Sequence, residues 1–126
     1  MKVIYIAGPF RGPSSWAVAE NVRNAERWAL EVAKAGFMPL CPHANTAHFD
    51  RLLTAEFWLD GTMELLKRCD GAVFIPGWRS SKGVRAEYEF CIERKIPFWD
   101  LDLSFAHGPE KALAFMLGDF LWAEGT

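Results

Sequence analysis

The sequence predicts an α/β protein: a doubly wound, mainly parallel sheet with helices on both faces. Three observations predict it. Short apolar runs rich in β-branched residues alternate with longer amphipathic stretches in the order β-α-β-α-β-α-β-α. Two of the runs, ending at Ala7 and Ile75, empty into glycine-bearing loops that precede helices. No repeat, low-complexity segment or linker interrupts the pattern, so the 126 residues read as one domain, 1–126.

Lys2-Val3-Ile4-Tyr5-Ile6-Ala7 is a buried strand that stops at Gly8-Pro9. From Trp16 to Ala35 the positions Trp16, Ala19, Val22, Ala25, Trp28, Ala29 and Val32 recur at helical steps, and Gly36 closes the helix. Ser14 or Ser15 would cap its start. Phe37-Met38-Pro39-Leu40 is a short second strand, completing a right-handed βαβ unit. Ala55 to Arg68 is a helix with a stripe of Trp58, Leu59, Met63, Leu66 and Cys69 expected to be buried. Ala72-Val73-Phe74-Ile75 is the third strand and Val84 to Arg94 the third helix. Ile96 to Leu101 is a fourth strand whose Pro97 demands an edge or strand-start position. A last helix, Glu110 to Trp122, is apolar enough to suggest a homodimer or higher homo-oligomer.

Composition excludes several classes. A net charge of −2 with basic and acidic residues interspersed offers no track for a nucleic-acid polymer. No apolar run approaches membrane-spanning length, so no membrane partner is expected. Cys41, Cys69 and Cys91 lack paired spacing and lie in or beside apolar segments, as buried free thiols in a reducing, cytoplasmic compartment would. The patterns GxGxxG, GxxxxGK[ST], CxxC and GxSxG are all missing, which removes the usual support for dinucleotide, P-loop, zinc and serine-hydrolase chemistry.

What remains is two loops and a carboxylate. Gly8-Pro9-Phe10-Arg11-Gly12-Pro13-Ser14-Ser15 permits close backbone approach and carries phosphate-compatible donors, although Pro13-Ser14-Ser15 also suits a plain turn and cap. Pro76-Gly77-Trp78-Arg79-Ser80-Ser81-Lys82-Gly83 leads into a helix whose N-terminus favours an anion, with Glu87 about one turn inside. That N-terminus is expected to lower the Glu87 pKa. In Cys41 to Asp50, a metal set of Cys41, His43, His48 and Asp50 matches no tetrahedral spacing. The loop reads as a sugar or base contact through His43 and Asn45, or as plain structure. Asp60 and Glu64 share a helix face, which is usually solvated but could reach the crevice.

Val3-Ile4-Tyr5-Ile6-Ala7-Gly8-Pro9-Phe10, the Pro42-His43 loop, Arg68-Cys69-Asp70, and Pro76-Gly77-Trp78 with Ser81-x-Gly83-Val84-x-x-Glu87 together resemble the nucleoside 2-deoxyribosyltransferase-like superfamily. The resemblance runs to about Pro97. It implies a flavodoxin-like fold and cleavage of the N-glycosidic bond of a nucleoside or nucleoside 5′-monophosphate, with Glu87 as nucleophile and Tyr5 as its hydrogen-bonding partner. Asp60 falls roughly where the family places an acid for the leaving base, although Glu64 can be aligned there instead. Ser81, where free-nucleoside transferases commonly carry aspartate, and Arg11-Gly12 resemble the 5′-monophosphate N-glycosidases. Trp78-Arg79 departs from that branch and makes these two residues candidates for substrate choice.

The sequence therefore predicts a hydrolase of nucleoside 5′-monophosphates with catalytic Glu87, Tyr5 and Asp60. Gly8, Phe10, Arg11, Gly12, His43, Asn45, Gly77, Trp78, Ser80, Ser81 and Gly83 are its substrate-binding residues, and no cofactor or metal is required. A deoxyribosyl transferase and a non-catalytic nucleotide-binding module are the alternatives.

Overall fold

A computed structural model describes residues 1–43 and 51–103. Within them the chain runs β1 (Val3–Ala7), α1 (Ser15–Lys34), β2 (Met38–Leu40), α2 (Ala55–Lys67), β3 (Gly71–Phe74), α3 (Lys82–Arg94) and β4 (Phe98–Asp100). One-turn 3-10 segments, Trp78–Ser80 and Leu101–Leu103, follow β3 and β4. All pairings are parallel and the order is β2-β1-β3-β4, the flavodoxin-like order. The helix expected over Glu110 to Trp122 lies outside the described residues.

Each helix begins where a hydroxyl can satisfy an orphan N–H. Ser14 accepts from the Ala17 N–H at 3.1 Å, Thr54 from Phe57 at 3.2 Å, and Ser81 from Val84 at 3.3 Å. Gly36, at φ +100°, ends α1 by donating to the Ala33 carbonyl at 3.0 Å. Pro97 stands just ahead of β4, where its missing N–H costs no ladder bond and its carbonyl still accepts from Ala72 at 3.0 Å.

The two faces of β1 and β3 build two cores. Ile4, Ile6, Val73 and Ile75 pack against Ala25, Trp28 and Val32 of α1. Tyr5, Ala7, Ala72 and Phe74 pack against Leu66 of α2 and Val84 and Cys91 of α3. Helices thus cover both faces, as the sequence predicts.

Three packing expectations are corrected. Trp16 is 72% exposed, with the Arg23 guanidinium over its ring at 5.5 Å. It sits in the first turn of α1, beyond the reach of the sheet. Leu59 is exposed, and of the α2 stripe only Leu66 is fully buried. That face of α2 turns toward a cavity rather than the core. Of the free cysteines only Cys91 is buried, Cys41 and Cys69 being half-buried.

Lys95, which ends α3 at φ 58°, is a side chain held in the left-handed region. Lys95→Gly is expected to stabilise the fold by about 0.5–1 kcal/mol in urea unfolding, because the Cβ clash with the backbone is relieved. Equal or lower stability would show that Lys95 is held there by contacts worth more than the strain.

Candidate active site

Parallel strand order reverses between β1 and β3, so the chain leaving each strand diverges and opens a crevice at their carboxyl ends. A cavity of about 480 Å³ occupies that place, a size suited to a small organic ligand. The loop after β1 gives it Gly8, Pro9, Phe10 and Arg11, and the residues after β2 give Pro42 and His43. The β3–α3 junction gives Ser80, Ser81, Lys82, Gly83 and Val84, and α2 gives Ala55, Trp58, Leu59 and Thr62. Tyr5 and Glu87 complete the wall. A Cβ on Gly8 would come within 2.4 Å of Ile75 Cδ1, so the two loops approach this closely only because residue 8 has no side chain.

Glu87 lies one turn past the start of α3 and is 7% exposed. Its carboxylate is hydrogen-bonded by the Tyr5 hydroxyl, which also stands against the Thr62 hydroxyl. Glu87 Oε2 is buried with no hydrogen-bond partner among the described residues. Burial pushes the Glu87 pKa up from 4.5 to about 7, and the Tyr5 hydrogen bond only partly opposes it. The expected lowering by the helix N-terminus is therefore corrected: loss of water outweighs it. Burial, with the nearby Glu87 charge, also holds the Tyr5 phenol well above its usual range, so Tyr5 acts as a donor.

His43 is buried and its Nε2 lies 2.7 Å from the Gly8 carbonyl and 3.0 Å from that of Pro9. Two acceptors at one nitrogen require a proton there, so Nε2–H donates. Burial holds the ring below its ordinary pKa and keeps it neutral at pH 7. His43 thereby pins the first loop, with the Phe10 ring against its edge at 5.6 Å between centroids.

Of the residues singled out in the sequence, Tyr5, Gly8, Phe10, Arg11, His43, Ser80, Ser81, Gly83 and Glu87 are brought together on one cavity. Asn45 lies outside the described residues. Four predicted residues, Asp60, Gly12, Gly77 and Trp78, do not line the cavity, nor does Glu64, the alternative to Asp60. Asp60 is exposed: it stands two residues before Thr62, about 200° round the helix. Glu64, on that same outer face, binds Arg68 at 2.9 Å, which with Lys67 lowers its pKa. Gly12 packs on Ala17, where a Cβ would lie 2.7 Å from the alanine Cβ. Gly77 and Trp78 serve the turn itself. Gly77 adopts φ +89° and donates to Asp102 Oδ1 at 2.8 Å. Trp78 is buried beside Phe74 and Tyr88 and donates from Nε1 to Asp100 Oδ1 at 2.9 Å.

Sequence reasoning missed the α2 wall, Lys82, Pro9, Pro42 and Val84. The spacing of Ala55, Trp58, Leu59 and Thr62 marks one helix face, and the small and hydroxyl residues in it were the signal that this face is not all core. Among the described residues, no group of three or more His, Cys, Asp or Glu side chains is placed to hold a metal ion, and no helix is long and apolar enough to cross a membrane.

Residues 2–100 match a family described as a domain of unknown function, DUF7768. The chain belongs to this family. No curated protein matches it. The matched span runs from the start of β1 to the end of β4, and so takes in every described residue of the cavity wall.

The raised Glu87 pKa makes a stability prediction. The folded-state value of about 7 exceeds the ordinary 4.5, so the folded protein binds the extra proton between those pH values and stability falls as pH rises through them. Wild type should lose about 3 kcal/mol between pH 4 and 8 from this group, and Glu87→Gln should remove that slope. Urea unfolding across the range measures it, and parallel slopes for the two proteins would contradict the assignment.

Proposed function

We propose that this chain hydrolyses the N-glycosidic bond of a nucleoside 5′-monophosphate, releasing free base and sugar 5-phosphate. The observation that carries the reading is one cavity with a buried Glu87–Tyr5 pair in its wall and the open N-terminus of α3 at its side. The N–H groups of Lys82 and Gly83 begin that helix and are among the first-turn donors that have no intrahelical acceptor. With the Ser81 hydroxyl, the Lys82 ammonium and Arg11, they form a seat suited to a phosphate dianion. The resemblance to nucleoside 2-deoxyribosyltransferase-like proteins supports the same reading.

In the proposed reaction a Glu87 carboxylate oxygen bonds to the anomeric carbon as the bond to the base breaks. The base leaves with the electron pair and takes up a proton. Water then attacks the same carbon, the glutamyl ester breaks, and the configuration is retained. Tyr5 orients the carboxylate and keeps its charge available against the cost of burial. Asp60, outside the cavity, is given no part in protonating the base. Trp58, Phe10 and Pro9 offer apolar surface to a ring.

Incubation with a panel of nucleoside monophosphates should release free base without any acceptor base present. Release only with an acceptor would assign sugar transfer instead, and an intact nucleotide would leave a binding module. Glu87→Ala should lower turnover by at least about a thousandfold. Because the carboxylate must be ionised, kcat/KM should rise about tenfold per pH unit below pH 7 and level off above it. Tyr5→Phe should move that limb to higher pH, since the hydrogen bond it removes lowers the Glu87 pKa.

Gly83→Ala tests the phosphate seat separately. The nearest atoms to an added Cβ are 4.0 Å away, so the fold has room for it, whereas a phosphate close to the helix end would not. Thermal stability should hold or rise while KM for the monophosphate rises about tenfold or more. An unchanged KM would move the phosphate elsewhere.

A further inference from the structure

Arg79 stands out as a residue that the proposed chemistry does not use. It lies in the 3-10 turn between β3 and α3 and does not line the cavity, yet it is the most heavily tied side chain of that turn. Its guanidinium lies over the Trp78 ring, 4.4 Å from the centroid. Nη2 donates to Asp100 Oδ2 at 2.5 Å and Nη1 to Asp102 Oδ2 at 3.0 Å. The other oxygens of the same carboxylates receive Trp78 Nε1–H at 2.9 Å and the Gly77 N–H at 2.8 Å. The Asp102 N–H also reaches Asp100 Oδ1, at 3.0 Å. On the helix side, Arg85 Nη1 donates to the Arg79 carbonyl at 2.6 Å.

Arg79 is therefore held by its side chain to the end of β4 and by its carbonyl to the first turns of α3. The next residues, Ser80 to Gly83, are the ones that line the cavity. We propose that Arg79, clamped by Asp100 and Asp102, is a positioning residue that sets the aim of the Ser81-Lys82-Gly83 anion seat without touching the ligand. The proposal rests on the reading of that seat as the phosphate site. The fork geometry matters: a planar guanidinium bridges two carboxylates at once, and an ammonium on a flexible stem does so poorly. Without Arg79, Asp100, whose side chain is only 7% exposed, keeps a buried charge beside Asp102 with no cation bridging them, and the turn is driven apart.

The test titrates inorganic phosphate into the full-length protein and follows the backbone amides of Lys82 and Gly83 by two-dimensional NMR. In wild type these amides should shift and saturate. In Arg79→Ala the phosphate Kd read at them should rise about tenfold, and in Arg79→Lys by an intermediate factor. Asp102→Asn, which keeps an acceptor for Gly77 but removes the ion pair, should also weaken binding and serves if Arg79→Ala does not fold. Binding of the phosphate-free nucleoside, read at residues of the α2 wall, should be unchanged in every variant, which a general loss of structure would not allow. If wild type binds phosphate at these amides and Arg79→Ala and Asp102→Asn bind it equally well, the clamp is overturned while the phosphate seat stands. If phosphate leaves the wild-type amides unmoved, the seat and the clamp fall together.

Discussion

The parallel pairing of β1 with β3 is the constraint from which the cavity follows. Its register, Ile4 with Gly71 through Ala7 with Phe74, places equivalent side chains of the two strands on the same face. A slip of one residue would turn Tyr5 toward α1 and Ile6 toward α3, burying the phenol away from Glu87. Asp70 pins the register at the strand starts. Its N–H donates to the Val3 carbonyl at 2.9 Å and its carboxylate accepts the Val3 N–H at 2.7 Å. The Arg68-Cys69-Asp70 segment thus has a structural function: it fixes which face Tyr5 presents, and so which helix Tyr5 meets.

Given that register, Tyr5 and Glu87 meet in a layer that excludes water, and the electrostatics of the pair follow from burial. A carboxylate at a helix start is helped by the helix dipole within the first turn, but Glu87 lies past it. Desolvation acts on the whole charge wherever it sits. The first effect fades where the second is strongest, so the acid is left near neutrality rather than strongly ionised. That poise allows a ligand to set the proton balance, since groups brought near Glu87 shift an equilibrium that begins close to even.

Much of this was legible in the sequence, and the parts that were not share a cause. Strand, helix and turn order follow from periodicity and from Gly, Pro and hydroxyl positions, each of which acts locally. Glu87, Tyr5, Ser81 and Gly83 could be brought to one place because strand order in a doubly wound sheet directs them there. The misplaced residues are those whose side-chain direction depends on helix rotation or on distant partners. Asp60 and Thr62 are two apart on α2, and only packing decides which faces the cavity. Gly77 and Trp78 looked like ligand contacts because the carboxylates that take the Gly77 N–H and the Trp78 Nε1–H belong to Asp102 and Asp100, more than twenty residues on. Reading those aspartates as acceptors for a turn requires knowing that β4 lies beside β3.

Burial sorts the ionisable groups of the Tyr5 face. Tyr5, Glu87 and Cys91 are gathered there, with Cys69 and Tyr88 packed against the same cluster, and all five carry an ionisable group. Cys91 lies one helical turn after Glu87, on the same side of α3. Burial, the Glu87 charge and Cys69 push the Cys91 thiol up to about 12, and burial with the Asp70 charge pushes Cys69 to about 11. Thiols so raised hold almost no thiolate at neutral pH and are poor nucleophiles. Tyr5 is held higher than a free phenol by the same burial. The layer that excludes water therefore suppresses Tyr5, Cys69 and Cys91, and raises Glu87 until it exchanges its proton near pH 7. Neither thiol lines the cavity, whereas Glu87 and Tyr5 both do. Position and protonation select the same residue, and they do so through one physical cause, the depth at which the β1–β3 face is covered by α2 and α3.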